Sequence, residues 1–253
     1  MAGTDKPVEF KRFSAKKAEA ATLIEGLPGH GLVAAITAAH ITDQLDLTHL
    51  GSLDSELFPQ VASYSDGRLQ DAIRVYGEAN PAVITLQSDV VLPQSSYRGL
   101  AHCLQDELAT EFKNALFFVG APAQSDAEIG DIHGVASTDE LEAELQDVGI
   151  PLAAGTGLIG GVTGALAKEF FGAEIPTTIL IVKTNPFFPD PTAAQSLIEN
   201  AVEPLVDFEI ETTALAQQAE AIEEELEQVA TQYQQIIQEQ QDPMNSPMPN
   251  MYQ

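Results

Sequence analysis

Two glycine clusters are the segments of this chain whose residue types and spacing could do chemistry. Gly29-His30-Gly31-Leu32-Val33-Ala34 fits GxGxxA between a strand-like and a helix-like stretch, and Gly155-Thr156-Gly157-Leu158-Ile159-Gly160 fits GxGxxG and also opens a helix. In a dinucleotide-binding unit such glycines let backbone amides approach a pyrophosphate at a helix N-terminus. That spacing leaves open a small-molecule- or nucleotide-binding α/β enzyme built on Gly29 and Gly31 or on Gly155 and Gly157. A ribose-binding acid belongs about 20 residues further on. Asp46 and Asp54 are the candidates after the first loop and Glu174 after the second, and none stands clearly at the end of a second strand. The chain contains no GKS or GKT, so the lysine of a phosphate-cradling P-loop is missing. Close-packed glycine turns explain both clusters more simply.

The remaining chemistry-bearing residues are scattered. His30, His40, His49, His102 and His133 show no ligand spacing for zinc. His102 and Cys103 are neighbours inside a predicted helix, where adjacent side chains face different ways. Ser95 and Ser96 precede that helix and read as caps, and no serine sits in a GxSxG elbow. The expectation is a protein with no catalytic residue, no cofactor and no metal.

Charge excludes further classes. Asp plus Glu number 38 against 11 Lys plus Arg, for a net charge of −27. Lys6, Lys11, Arg12, Lys16 and Lys17 crowd the start of the chain, and none follows Lys183. A nucleic-acid partner needs a basic face, which this chain lacks. Acidity spread over the whole length reads as a halophilic composition, because the Debye length shrinks to about 3 Å at 1 M salt. No apolar run approaches membrane-spanning length, so no membrane insertion is expected. With no signal-peptide pattern at the start and a single cysteine, Cys103, the expected location is cytoplasmic.

Up to about residue 207 the chain alternates strand-like and helix-like stretches, which predicts an α/β layered domain over residues 1–207. Ala21-Thr22-Leu23-Ile24, Val83-Ile84-Thr85-Leu86, Leu116-Phe117-Phe118-Val119 and Thr178-Ile179-Leu180-Ile181-Val182 read as interior strands. Leu32 to Leu45 is a small-residue helix, and Ser95 to Lys113 is another. Ser137-Thr138-Asp139-Glu140 matches a capping box for a helix to about Val148. Asp190-Pro191 reads as N-cap plus first-turn proline of a helix to about Val206.

Beyond that point the character changes. Leu215, Ala219, Ile222, Leu226, Val229, Tyr233 and Ile236 are spaced alternately by four and three, which predicts a long helix over 208–242 with a coiled-coil seam. The alternative is a helix packed along its own domain. Pro243, Pro247 and Pro249 then predict an extended tail over 243–253, reaching roughly 35 Å when stretched.

Taken as a set, three segments resemble the archaeal branch of the proteasome assembly chaperone family. They are GLPGHGLV from Gly26, GTGLIGGVTGAL from Gly155 and PDPTAAQSLIENAVEPL from Pro189. The resemblance covers roughly residues 20 to 230. It implies a three-layer α/β/α domain similar to the nucleoside phosphorylase-like fold, without that fold's catalytic residues. It also implies homo-oligomerisation, no use of ATP, and binding to proteasome subunits, which leads to the expectation of a factor docking on the outer ring of the core proteasome. Met251-Tyr252-Gln253 resembles the hydrophobic-Tyr-any tail with which activators and assembly factors of that particle dock. By this resemblance Met251, Tyr252 and the α-carboxylate of Gln253 are the partner-binding residues.

Overall fold

Four short, almost uninterrupted apolar segments form the centre of the molecule because both of their faces are covered. Strands buried on two sides lose the polar–apolar alternation of a half-exposed sheet. The structure is a computed structural model that describes residues 7–206 and 208–222. The strands are β1 (Glu9–Arg12), β2 (Ala21–Gly26), β3 (Thr48–Asp54), β4 (Ser63–Ser65), β5 (Arg68–Gln70), β6 (Ile73–Ala79), β7 (Ala82–Ser88), β8 (Phe112–Pro122), β9 (Ile132–Ala136) and β10 (Thr177–Thr184). Eight of them make one sheet in the order β1-β3-β6-β7-β2-β8-β10-β9, and β4 pairs only with β5. The central β7, β2, β8 and β10 run parallel. The outer strands add on antiparallel.

The helices are α1 (Val33–Gln44), α2 (Tyr97–Leu108), α3 (Asp139–Asp147), α4 (Gly161–Gly172) and α5 (Pro191–Leu197). Successive residues of each central strand point to opposite layers. Leu23, Phe117 and Ile179 join a core with Leu100 and Leu104 of α2 and Leu166 and Phe170 of α4. Ile24, Leu116, Phe118 and Leu180 join a second core with Val33, Ala38 and Ile41 of α1 and Ala193 and Leu197 of α5. Each fully buried Leu, Ile or Phe contributes about 1.5–3 kcal/mol. The expected layered α/β domain is therefore present, with helices on both faces of a mixed sheet.

Several local expectations need adjustment. The helix predicted from Ser95 to Lys113 begins as a 3-10 turn at Gln94–Ser96, then runs only to Leu108. It stops because Glu111, almost fully buried, ties the chain back into the sheet. Its carbonyl accepts from Ala21 N at 3.0 Å, and its carboxylate pairs with Arg12. The cap before α3 is Thr138, whose hydroxyl accepts from Leu141 N at 3.3 Å. Ser137 instead accepts from Thr177 N at 2.8 Å, tying the helix start to β10. Ser96 is at the start of α2, but its hydroxyl donates to Pro93 O at 2.7 Å and caps no helix amide. The segment after Asp190 follows expectation: α5 passes through a π turn at Ile198–Val202 into a last helical turn, Glu203–Leu205.

The chain then re-crosses the α1–α5 face. Ile210 and Leu215 are buried in that core, Ile210 N donates to Glu203 Oε1 at 2.6 Å, and His40 Nε2 lies 2.6 Å from Glu211 O. Residues 213–222 are helical, with Ala219 and Ile222 half-buried. The later seam positions Leu226, Val229, Tyr233 and Ile236 lie outside the described residues, as does the whole 243–253 segment. Among the described residues no helix is long and apolar enough to cross a membrane.

Candidate functional site

Parts of the two glycine clusters, more than 120 positions apart in sequence, meet at the carboxyl ends of the parallel strands, where Gly29 and Gly160 line one cleft and Gly31, Gly155 and Gly157 do not. Chain leaving β2 passes through Leu27-Pro28-Gly29 toward α1 on one face of the sheet. The segment ending at Gly160-Gly161 opens α4 on the other face. With Gly120 to Pro122 of β8 and the chain after β7, they enclose a cleft of about 760 Å³. Crevices in open α/β sheets form where successive connections leave to opposite faces, and α1 and α2 do so from the neighbouring strands β2 and β7.

The glycines here are of two kinds. A Cβ on Gly26 would meet Ala38 Cβ at 2.2 Å, and one on Gly31, whose φ is +61°, would meet Thr184 Oγ1 at 2.0 Å. Those two are packing glycines, as expected. Around Gly29, Gly155, Gly157, Gly160 and Gly161 nothing lies within 4 Å of the same position. Gly155 and Gly161 have φ of +74° and +68°, so the turn itself calls for glycine there, and the expectation of close-packed glycine turns is corrected only for Gly29, Gly157 and Gly160. The proposed ribose acids are elsewhere. Asp54 pairs with Lys11, Asp46 follows α1 and Glu174 follows α4, and none of them lines the cleft.

Beneath the cleft is a residue the sequence reading did not single out. Glu25, in the last turn of β2 before the glycines, is 1% exposed. Leu27 N donates to its Oε1 and Thr163 Oγ1 to its Oε2, each at 3.1 Å, and a third hydrogen bond comes from the Phe118 backbone. Burial pushes the carboxyl up to about 8, against the opposing pull of those three donors. At neutral pH it is a protonated acid that bridges the two loops, its own O–H donated to the Thr163 hydroxyl while Leu27 N still donates to it. Its signal in the sequence was one acid inside Ala21-Thr22-Leu23-Ile24-Glu25-Gly26, a segment otherwise apolar or small.

A second acid, Asp190, secures the first glycine loop from behind the cleft's lining. Asp190 accepts from Thr184 Oγ1 at 2.9 Å, Asn185 N at 2.7 Å and Ala193 N at 2.9 Å, and its own N–H donates to Gly31 O at 2.8 Å. It serves as the N-cap of α5 and as a clasp between β10 and the first glycine loop.

The histidines do not converge. His102 lies exposed on α2, 3.4 Å from Glu169, while Cys103 beside it is buried, as the helix geometry required. His49 is sandwiched between Phe13 and Tyr76, and desolvation lowers its pKa. His30 sits exposed at the lip of the cleft. No group of three or more His, Cys, Asp or Glu that could hold a metal occurs among the described residues. Met251, Tyr252 and Gln253 lie outside them.

A mixed sheet covered by helices on both faces, with a glycine-walled cleft at the ends of its parallel strands, defines a layered α/β protein. The chain belongs to the PAC2 family, whose profile matches residues 23–230. It is similar to Pyrococcus furiosus PbaA, an archaeal homolog of proteasome-assembly chaperone, at 26% identity and a TM-score of 0.82 over 93% of this chain and 97% of that one. Pyrococcus furiosus PbaB, an archaeal proteasome activator, shares the fold at 19% identity and a TM-score of 0.78, covering 89% of this chain and 99% of PbaB. An uncharacterized protein of Methanocaldococcus jannaschii is 26% identical over 211 residues, covering 83% of this chain and 86% of its own.

Proposed function

We propose that this chain is an ATP-independent factor that binds the outer ring of the core proteasome, assisting its assembly or opening its gate. The observation that carries this reading is the similarity to PbaA over nearly the whole of both chains. The sequence Met251-Tyr252-Gln253 supplies the contact: an apolar anchor, a Tyr side chain and a terminal carboxylate for a cationic slot between ring subunits. The chain works as a homo-oligomer in the cytoplasm, and several tails engage one ring. Each docked tail raises the effective concentration of the next, so weak contacts sum to a stable complex. In this reading the helical segment that begins at Thr213 carries the tails away from the body.

Capture of core proteasome by tagged chain in molar KCl tests this directly. Full-length protein should retain the particle. A chain ending at Asn250 and the variant Tyr252→Ala should each lose about ten-fold or more in apparent affinity, since removing each contact is multiplied over the tails. Equal capture by all three rules out the tail as the docking element.

A further inference from the structure

The cleft between the two glycine loops has features that docking by a C-terminal tail does not use. Gly29 and Gly160 have extended backbone, at φ −143° and −102°, and a Cβ on either would stand in open space. Neither backbone strain nor packing therefore explains the absence of a side chain at these two positions. A further reason for glycine is that something else must approach the peptide plane closely. Because α1 and α4 lie on opposite faces of the sheet, Gly29 and Gly160-Gly161 bring bare peptide planes to the cleft from two sides.

The rest of the wall sets the chemistry. Leu92, Phe118, Ile159 and Val162 supply apolar surface, and the side chains of His30, Tyr97 and Thr163 supply polar edges. Among the described residues lining the cleft there is no Lys, Arg, Asp or Glu, although the chain as a whole carries 49 such residues (38 plus 11). A charged ligand entering it would lose hydration without gaining a counter-ion. Glu25 does not alter this, because it lies under the wall and is protonated at neutral pH. The volume falls within the ~300–1,000 Å³ of ordinary small-molecule sites.

We propose that this cleft is a binding site for a small, uncharged, planar molecule. A neutral heteroaromatic ring stacks between the peptide planes of Gly29 and Gly160, with its polar edge directed to Tyr97 and Thr163. Phosphorylated or carboxylated ligands would find no Lys or Arg among the described lining residues to offset their lost hydration. The site requires no catalysis and is independent of the tail.

Saturation-transfer NMR on the full-length chain in molar KCl tests it with indole, quinoline and benzimidazole, each paired with its carboxylate-bearing counterpart. At least one neutral ring should bind saturably, with its charged counterpart about ten-fold weaker or worse. Gly29→Val and Gly160→Val place their Cβ atoms where nothing lies within 4 Å, so thermal melts should be preserved while ring binding falls about ten-fold. The proposal is overturned if no neutral ring binds saturably, if charged and neutral partners bind alike, or if both valine variants bind as the wild type does. If the valine variants instead lose proteasome capture while every ring stays silent, the cleft is a protein contact and the proposal is equally overturned. Loss of capture on Tyr252→Ala leaves it untouched.

Discussion

The two glycine loops share a spacing and a location but differ in construction. The first is a packed knot: Gly26 lies against Ala38, Gly31 against Thr184, and Asp190 clasps the whole to β10 and α5. The second is an exposed stretch whose Leu158 is fully solvated, and at four of its glycines an added Cβ would meet nothing within 4 Å. A glycine pattern thus reports where side chains are absent without reporting why. At Gly26 and Gly31 the protein's own atoms fill the space, whereas at Gly29 and along the second loop from Gly155 to Gly161 that space stays open.

Substitutions can break or sharpen this contrast. Gly31→Ala combines a left-handed backbone with a clash against buried Thr184, so we expect a loss of about 4 kcal/mol in unfolding free energy. Denaturant titration at fixed salt measures it, and adding Thr184→Ala should restore part of the loss. A Gly31→Ala protein as stable as wild type would remove the distinction between the loops.

Glu25, which joins them, predicts a pH signature. Its folded pKa of about 8 lies above the ordinary 4.5, so the folded state keeps a proton that the unfolded chain releases. This contribution is complete below 4.5, declines as pH rises toward 8 and is then exhausted. Glu25→Gln, whose amide can donate to Thr163 and accept from Leu27, should remove that decline. Between pH 5 and 8.5 the variant should gain on the order of 3 kcal/mol relative to wild type, read from denaturant midpoints at each pH. Identical pH profiles would place Glu25 in water rather than under the cleft.

The smallest effect belongs to the open loop. Gly157→Ala meets no atom and needs no left-handed backbone, so stability should change by no more than about 0.5 kcal/mol, and upward if at all. A loss of several kcal/mol would show that the second loop is packed like the first.

What could be read in advance follows from burial. The strands β2, β7, β8 and β10 were legible because covering both faces leaves a continuous apolar run. The antiparallel additions were not, because function and packing interrupt their patterns. Ile73–Ala79 contains Arg74, buried with its guanidinium donating two hydrogen bonds to Asp89 and one to Asp71 O. Thr48–Asp54 carries His49 and Gly51, and Ile132–Ala136 carries His133 and Gly134. The β4–β5 hairpin did leave a signal that was passed over: Asp66-Gly67, both at positive φ, as a two-residue primed turn requires. At the cleft the glycines were found but their two roles were not, since spacing carries no information about neighbours. Glu25 was missed because a lone acid in a strand is silent until its burial is known.

One earlier detail has a mechanical consequence. Ile210 and Leu215 are sunk in the α1–α5 core, the first just before and the second in the opening turn of the helical segment 213–222. A load applied further along the chain would first reach these two rivets and be shared with the sheet through α1, instead of peeling a loose connector. The point of departure is a fixed mount on the body, so the direction of pull would be set by how these side chains are seated.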